Sequence, residues 1–239
     1  MPEVALFATC LVDNLAPRVG VSAVRLLEAA GCTVTFPAGQ SCCGQPAMNT
    51  GEPEAAAVLA RHFVEVFEPY DAVVSPSGSC VSMVHHWYPL ILEGSWRSRA
   101  EALASRTHEL AAYLVDVLGV DDLGIQVEAK ATVQDSCHGL RMLGLKDAPR
   151  RLLQSAGVEL LEMSDPEVCC GFGGTFAEKH PEISGPMADE KLGQASETQA
   201  DFLVAGDTGC LLHLEGRRRR TGVGPPALHF AELLARGLP

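Results

Sequence analysis

The chain has 239 residues, of which 47% are hydrophobic and 20% charged, so it is long enough to bury a core as one large domain or two of about 120 residues. Its formal charge of −12 speaks against nucleic acid as a partner. No apolar stretch is long enough to cross a bilayer, and MPEVALFATC lacks the basic region of a secretory signal, so a soluble, cytoplasmic protein without a membrane span is expected.

In chain order, EVALFAT (3–9) is a β-prone run that ends at Cys10. A helix is predicted over roughly 19–30, with Val21, Val24 and Leu27 alongside Ala23, Leu26 and Ala30 at helical spacing, and Gly31 stops it. A second β-prone run, TVTF (33–36), leads to Cys42-Cys43-Gly44. Next come a helix-like stretch over about 52–68, a third run DAVVS (71–75), and Cys80. The helical pattern THELAAYLVDVLG closes this half.

The order then starts again. KATVQDS (130–136) precedes Cys137, and a helix over roughly 148–156 follows, with Asp147 as its cap, Pro149 in its first turn and Gly157 as its stop. VELLEM (158–163) leads to Cys169-Cys170-Gly171, a helix-like stretch covers 183–199, and DFLVAG (201–206) precedes Cys210. ALHFAELLARGLP ends the chain with a helical pattern. Strands alternating with helices predict parallel sheets. The expected fold is therefore α/β: two Rossmann-like halves related by a pseudo-twofold, each a small, mostly parallel sheet flanked by helices. Residues 1–122 and 123–239 are the two halves, with a tight interface between them.

Eight of the nine cysteines belong to this repeat. Cys10 and Cys137 each precede their pair by 31 residues, and 36 and 39 residues separate the pairs from Cys80 and Cys210. Core cysteines scatter as small hydrophobes and do not recur in fours at matched spacing. In a reducing compartment such a set points to metal ligation rather than disulfides. Iron–sulfur clusters are the leading occupant, and zinc is the rival. The lone thiols follow predicted strands, at the carboxyl ends where open α/β sheets bind ligands. Gly44, Gly78, Gly171, Gly173, Gly174 and Gly209 would let backbone N–H groups approach the sulfurs. Cys32 has no counterpart, since Val158 stands in its place, and is read as a core residue.

FATCLVDNLAPRVG, FPAGQSCCGQPAMNTG, SPSGSC, DSCHGLRMLG, CCGFGGTFAEKHPEIS and DTGCLLHLEGRRRR resemble the CCG (cysteine-rich domain) proteins, the family that includes the cysteine-rich component of heterodisulfide reductase, and within it the lactate-utilisation branch. The resemblance implies cytoplasmic oxidation of L-lactate to pyruvate together with two other lactate-utilisation proteins. It also implies iron–sulfur clusters, one per half, and the four thiolates of Cys10, Cys42, Cys43 and Cys80 and of Cys137, Cys169, Cys170 and Cys210 suffice for a [4Fe–4S] cluster in each, with cubane and noncubane types both open. The parent pattern ends each half in Cys-x-x-Cys, and here Ser77 and Asp207 replace the first cysteine. Either four thiolates complete an ordinary cluster, or Ser77 and Asp207 are candidate oxygen ligands, or one iron is left open.

His138 and Arg141 are the candidates for proton relay or anion contact, against the alternatives of a histidine that merely supports the site and a solvated charge. Lys179 is a further surface cation near the second group. His85, His86 and Trp87 read as a rim rather than ligands, and Arg217–Arg220 as a solvated helix end or a docking patch. GFGGTFA lacks the spacing of a dinucleotide fingerprint. With no flavin or nicotinamide signature, the expected role is an electron-transfer subunit that needs an external acceptor. The alternatives are a redox enzyme acting at its own cluster, or a zinc or thiol-switch scaffold.

Overall fold

The computed structural model describes all 239 residues and contains two four-stranded sheets. β1 (Glu3–Leu6), β2 (Thr33–Thr35), β3 (Val73–Ser75) and β4 (Thr107–Glu109) run in the order β2-β1-β3-β4. β5 (Lys130–Val133), β6 (Glu159–Leu160), β7 (Phe202–Ala205) and β8 (Ala227–His229) repeat that order as β6-β5-β7-β8. Every pairing is parallel, as the strand–helix alternation requires. The α/β class and the repeated halves agree with the sequence reading.

The helices of the first half are α1 (Cys10–Leu15), α2 (Pro17–Ala29), α3 (Gln45–Asn49), α4 (Pro53–Phe67) and α5 (Gly78–Ser82). α5 continues through a π-helical turn, Met83–Trp87, into α6 (Tyr88–Ile91). α7 (Gly94–Ala104) and the short α8 (Leu110–Ala112) complete the half. The second half holds α9 (Cys137–Leu143), α10 (Asp147–Ser155), α11 (Phe176–Lys179), α12 (Pro181–Glu197), α13 (Thr208–Thr221) and α14 (Phe230–Leu234).

Local rules explain most of these bounds. Pro17, Pro53 and Pro181 start α2, α4 and α12, where a missing N–H costs nothing. α2 and α10 both stop on Ala-Gly with the same geometry, Ala30 and Ala156 at φ −78° and the following glycines at φ +85° and +83°. Asp147 is the first helical residue of α10 rather than its cap, and Lys146 at the cap position makes no side-chain capping bond. The closing segments are not wholly helical. Thr107–Glu109 and Ala227–His229 are fourth strands, after which Glu109 and His229 cap the helix starts. A three-residue strand running into a helix leaves no alternation long enough to register in the sequence. α7 also escaped prediction and has no counterpart in the second half.

The two sheets share their inner core. Val4, Leu6, Val74, Leu110 and Leu114 from the first half lie in one buried cluster with Val133, Leu153, Val204, Phe230 and Leu234 from the second. Arg25 of α2 ties the chain end to this layer, donating to the carbonyls of Ala235, Leu238 and Pro239 at 3.2, 3.2 and 2.8 Å. Each sheet's outer face has its own core. In the first half Phe7, Phe63, Phe67 and Tyr88 stack with ring centroids 4.5–5.6 Å apart. Leu192, Leu203 and Leu214 form the smaller one in the second half. Cys32 lies in the shared core, 6% exposed, as expected of a structural thiol.

A shared core makes the halves unfold together. Phe230→Ala removes a fully buried ring from the second half and should cost about 3–5 kcal/mol. Both tryptophans, Trp87 and Trp96, are in the first half, so their fluorescence should shift its urea midpoint with far-UV circular dichroism. A tryptophan transition unmoved by Phe230→Ala would show that the halves melt independently.

Candidate metal centre

All four strands of each sheet point their carboxyl ends the same way, so the residues that follow them converge. Cys10 opens α1 after β1, Cys42-Cys43 lies in the loop between β2 and α3, and Cys80 sits in α5 after β3. Cys43 Sγ donates to Cys80 Sγ at 3.4 Å, and Cys10, Cys42 and Cys43 lie close enough to shift one another's protonation. The second half builds the same chain from Cys137 through Cys169 and Cys170 to Cys210. In each, the second cysteine of the pair is 2% exposed while the first is half-buried. The structure thus brings together all eight repeated thiols, in two quartets, and leaves Cys32 apart.

Proton sharing dominates each quartet. Hydrogen bonds from Cys10 and then Cys43 lower Cys42 to about 3, and those from Cys137 and then Cys170 lower Cys169 to about 2. The same bonds, with burial, push Cys10, Cys43, Cys137 and Cys170 upward. Such coupled groups titrate as a set. Cys42 and Cys169 are the sulfurs most readily ionised, and a cation entering either site would displace the protons shared with them.

The glycine of each CCG has a definite task. Gly44 and Gly171 adopt φ +91° and +90°, and their N–H groups donate to Cys42 Sγ at 3.5 Å and Cys169 Sγ at 3.4 Å. A Cβ at Gly44 would stand 3.2 Å from the Ala56 carbonyl oxygen, and one at Gly171 would stand 2.7 Å from that of Ser184. Only glycine allows both the left-handed turn and this approach to the next long helix. No group of three or more His, Cys, Asp or Glu side chains is arranged to hold a single metal ion. By chemistry the donor set fits an iron–sulfur cluster: four soft sulfurs per half, with backbone N–H groups aimed at sulfur.

Ser77 and Asp207 turn toward each other. Ser77 Oγ donates to Asp207 Oδ2 at 3.3 Å, and both residues are buried at the junction of the halves. Ser77 also accepts from Cys80 N–H, while Asp207 accepts from Gly209 N–H and from Ser79 N–H of the opposite half. Beside them α5 lies against α9, where a Cβ on Gly78 would stand 3.1 Å from Gly139 Cα.

His138 also reaches across. Gln45 Nε2 stands 3.2 Å from its Nε2, and its Nδ1 lies 3.7 Å from Cys137 Sγ. With the amide donating to Nε2, the ring proton sits on Nδ1, facing the sulfur. Arg141 is exposed on the last turn of α9, and its charge contributes to the lowering at Cys169. Lys179 is exposed on α11. His85 and His86 bond the carbonyls of Thr107 and Met142 at 2.7 and 2.9 Å, which makes them packing residues. Half of the basic run's charge is balanced within the chain, with Arg217 paired to Asp189 and both Arg218 and Arg219 sharing Glu215.

Sequence reasoning missed three supports of the site. Tyr88 is fully buried and donates to the Cys43 carbonyl at 2.8 Å. Arg150 clamps Asp135, two residues before Cys137, at 2.7 and 3.0 Å. Glu109 and His229 occupy the same register in the two sheets, opposite Ser75 and Ala205. Aligning THEL with ALHF would have exposed that last pair. His229 Nδ1 accepts from Ala231 N–H, so its Nε2 donates to the Pro76 carbonyl of the other half.

Paired soft-donor quartets at the strand ends of two repeated sheets define a cysteine-rich α/β repeat protein. The cysteine-rich domain pattern matches residues 4–85 and 131–215. Lactate utilization protein A of Macrococcus caseolyticus is 46% identical over 234 residues, spanning 97% of this chain and 96% of that one. That of an Exiguobacterium species is 46% identical over 243 residues, spanning 100% and 99%. The chain belongs to the cysteine-rich (CCG) domain family and, within it, to the lactate utilization protein A group. Among solved structures, a glutamate racemase of Bacillus anthracis aligns at 13% identity with a TM-score of 0.39, covering 99% of this chain and 79% of that one, a likeness that carries no argument. No helix is long and apolar enough to cross a membrane.

The buried pair beside the quartets sets a pH dependence. Burial pushes Glu109 up to about 8 and His229 down to about 4. An acid with a raised folded pKa stabilises fully below its unfolded value of 4.5, and that contribution is lost as pH rises toward 8. For the base, the contribution is complete above 6.5 and lost as pH falls toward 4. Glu109→Gln should therefore gain stability over the unsubstituted protein between pH 5 and pH 8, on the order of 3 kcal/mol. Urea midpoints at the two pH values measure it. Parallel pH profiles for the two proteins would show that Glu109 does not titrate in this window.

Proposed function

We propose that this chain is an iron–sulfur electron-transfer subunit of a cytoplasmic system that oxidises L-lactate to pyruvate, acting with two other lactate-utilisation proteins. The observation that carries the reading is the same thiol quartet built twice, with the same order of contacts, in a chain whose relatives are named for lactate utilization. Residues 1–122 and 123–239 are taken as the two units, each with one [4Fe–4S] cluster. Cys10, Cys42, Cys43 and Cys80 would hold the first, and Cys137, Cys169, Cys170 and Cys210 the second. Bound there, the clusters supply one-electron steps, and a partner or external acceptor completes the two-electron oxidation of a 2-hydroxy acid.

The chain's own residues prepare the sites. Gly44 and Gly171 donate backbone N–H groups to ligand sulfurs, and Tyr88 fixes the backbone at Cys43. His138 faces Cys137 with its ring proton and is anchored by Gln45 from the other half. It is the residue assigned to proton exchange at the second site, and the exposed Arg141 on the same helix is assigned to meeting an anion.

The test is chemical analysis of anaerobically purified protein. Iron with acid-labile sulfide is the expected result, and stoichiometric zinc without sulfide would overturn the reading. Cys43→Ala and Cys170→Ala should each remove about half of both elements and of the visible absorbance, whereas Cys32→Ala should leave all three unchanged. Lactate should yield pyruvate only with the two partner proteins and an acceptor present. Bleaching of the isolated protein by lactate would instead place the chemistry at its own cluster.

A further inference from the structure

The helices that carry Cys80 and Cys210 start at the same position of the repeat, but their first turns are served unequally. Ser77, at the start of α5, offers only a hydroxyl, which accepts from Cys80 N–H at 3.4 Å. Asp207, at the start of α13, serves both helices. Its Oδ1 accepts from Gly209 N–H at 3.1 Å in its own helix. Its Oδ2 accepts from Ser79 N–H at 2.9 Å and from Ser77 Oγ at 3.3 Å, both in the other half. A carboxyl that only accepts is in the ionised form's role.

Nothing nearby cancels that charge. Asp207 is 5% exposed and takes part in none of the ion pairs. His229 faces it but is held neutral by burial, and Glu109 is held protonated by the same cause. One uncompensated negative charge therefore sits where the two halves meet, bonded to the residue beside Cys80 and three residues ahead of Cys210. In so dry a setting its field is weakly screened.

We propose that Asp207 is a positioning residue shared by both thiol quartets: one buried carboxylate holds the starts of the Cys80 and Cys210 helices and lowers the reduction potentials of both centres together. The inference rests on the cluster reading above and extends it to how the two centres are tuned. Each one-electron reduction adds a negative charge to a centre, so a fixed negative charge beside it opposes the step. Ser77 and Asp207 are then an inter-half clasp rather than ligands.

The experiment is a dithionite titration with redox mediators, read by electron paramagnetic resonance. It uses the full-length protein in two backgrounds, Cys170→Ala to isolate the first centre and Cys43→Ala to isolate the second. Asp207→Asn should raise the midpoint potential in both backgrounds and leave the iron content unchanged. A shift confined to the second centre, or loss of one iron per centre, overturns the shared role. If Asp207→Asn does not assemble clusters, Ser77→Ala decides. It removes a donor from the carboxylate within the first half, so the second centre's potential should fall in the Cys43→Ala background, and an unchanged value there overturns the proposal. Unsubstituted protein without iron and sulfide overturns the cluster reading itself, a result distinct from a one-sided shift.

Discussion

The placement of everything functional here follows from burying the inner faces of two parallel sheets in a common core. Parallel strands send their carboxyl ends to the same edge of each sheet, and the shared layer of Leu6, Val74, Leu110, Val133, Val204 and Phe230 holds the two edges side by side. Two thiol quartets that could have faced opposite directions are instead neighbours, close enough for Gln45 to touch His138 and Ser77 to touch Asp207.

Within that frame hydrogen bonding between neighbouring thiols holds each quartet together. Four sulfurs converging in a half-buried site would repel one another if all were ionised. Cys42 and Cys169 take the charge, and their neighbours keep protons and donate them inward. The CCG turn completes the arrangement because its glycine brings an N–H to the charged sulfur while pressing against the next helix. The motif's three residues thus answer to three demands: a thiolate, a buried thiol and a left-handed turn.

Much of this was legible in the sequence, for identifiable reasons. The repeat determines which cysteines group together, since matched gaps of 31 residues survive only if both halves fold alike. Ala-Gly stops and proline starts locate most helix ends within a few residues. The fourth strands are hidden because three residues of β-structure feed directly into a helix, and one apolar pattern covers both. Contacts between halves are beyond reach for a different reason. Gln45, Ser77 and His229 meet their partners across 93, 130 and 153 residues of chain, and no local rule encodes such a distance. The replaced cysteines stand out against the parent pattern, but the pairing of Ser77 with Asp207 is visible only in three dimensions.

The unequal ends of the repeat also bear on how the two halves came to share one chain. If two first halves met as these halves do, two serines would face each other, and the N–H of Ser79 in each would have no carboxylate to receive it. Two second halves would bury a pair of aspartates against each other, with no hydroxyl from the opposite side to divide them. Each half is therefore fitted to the other and ill-suited to a copy of itself. At residues 77 and 207 the two repeated units are not interchangeable.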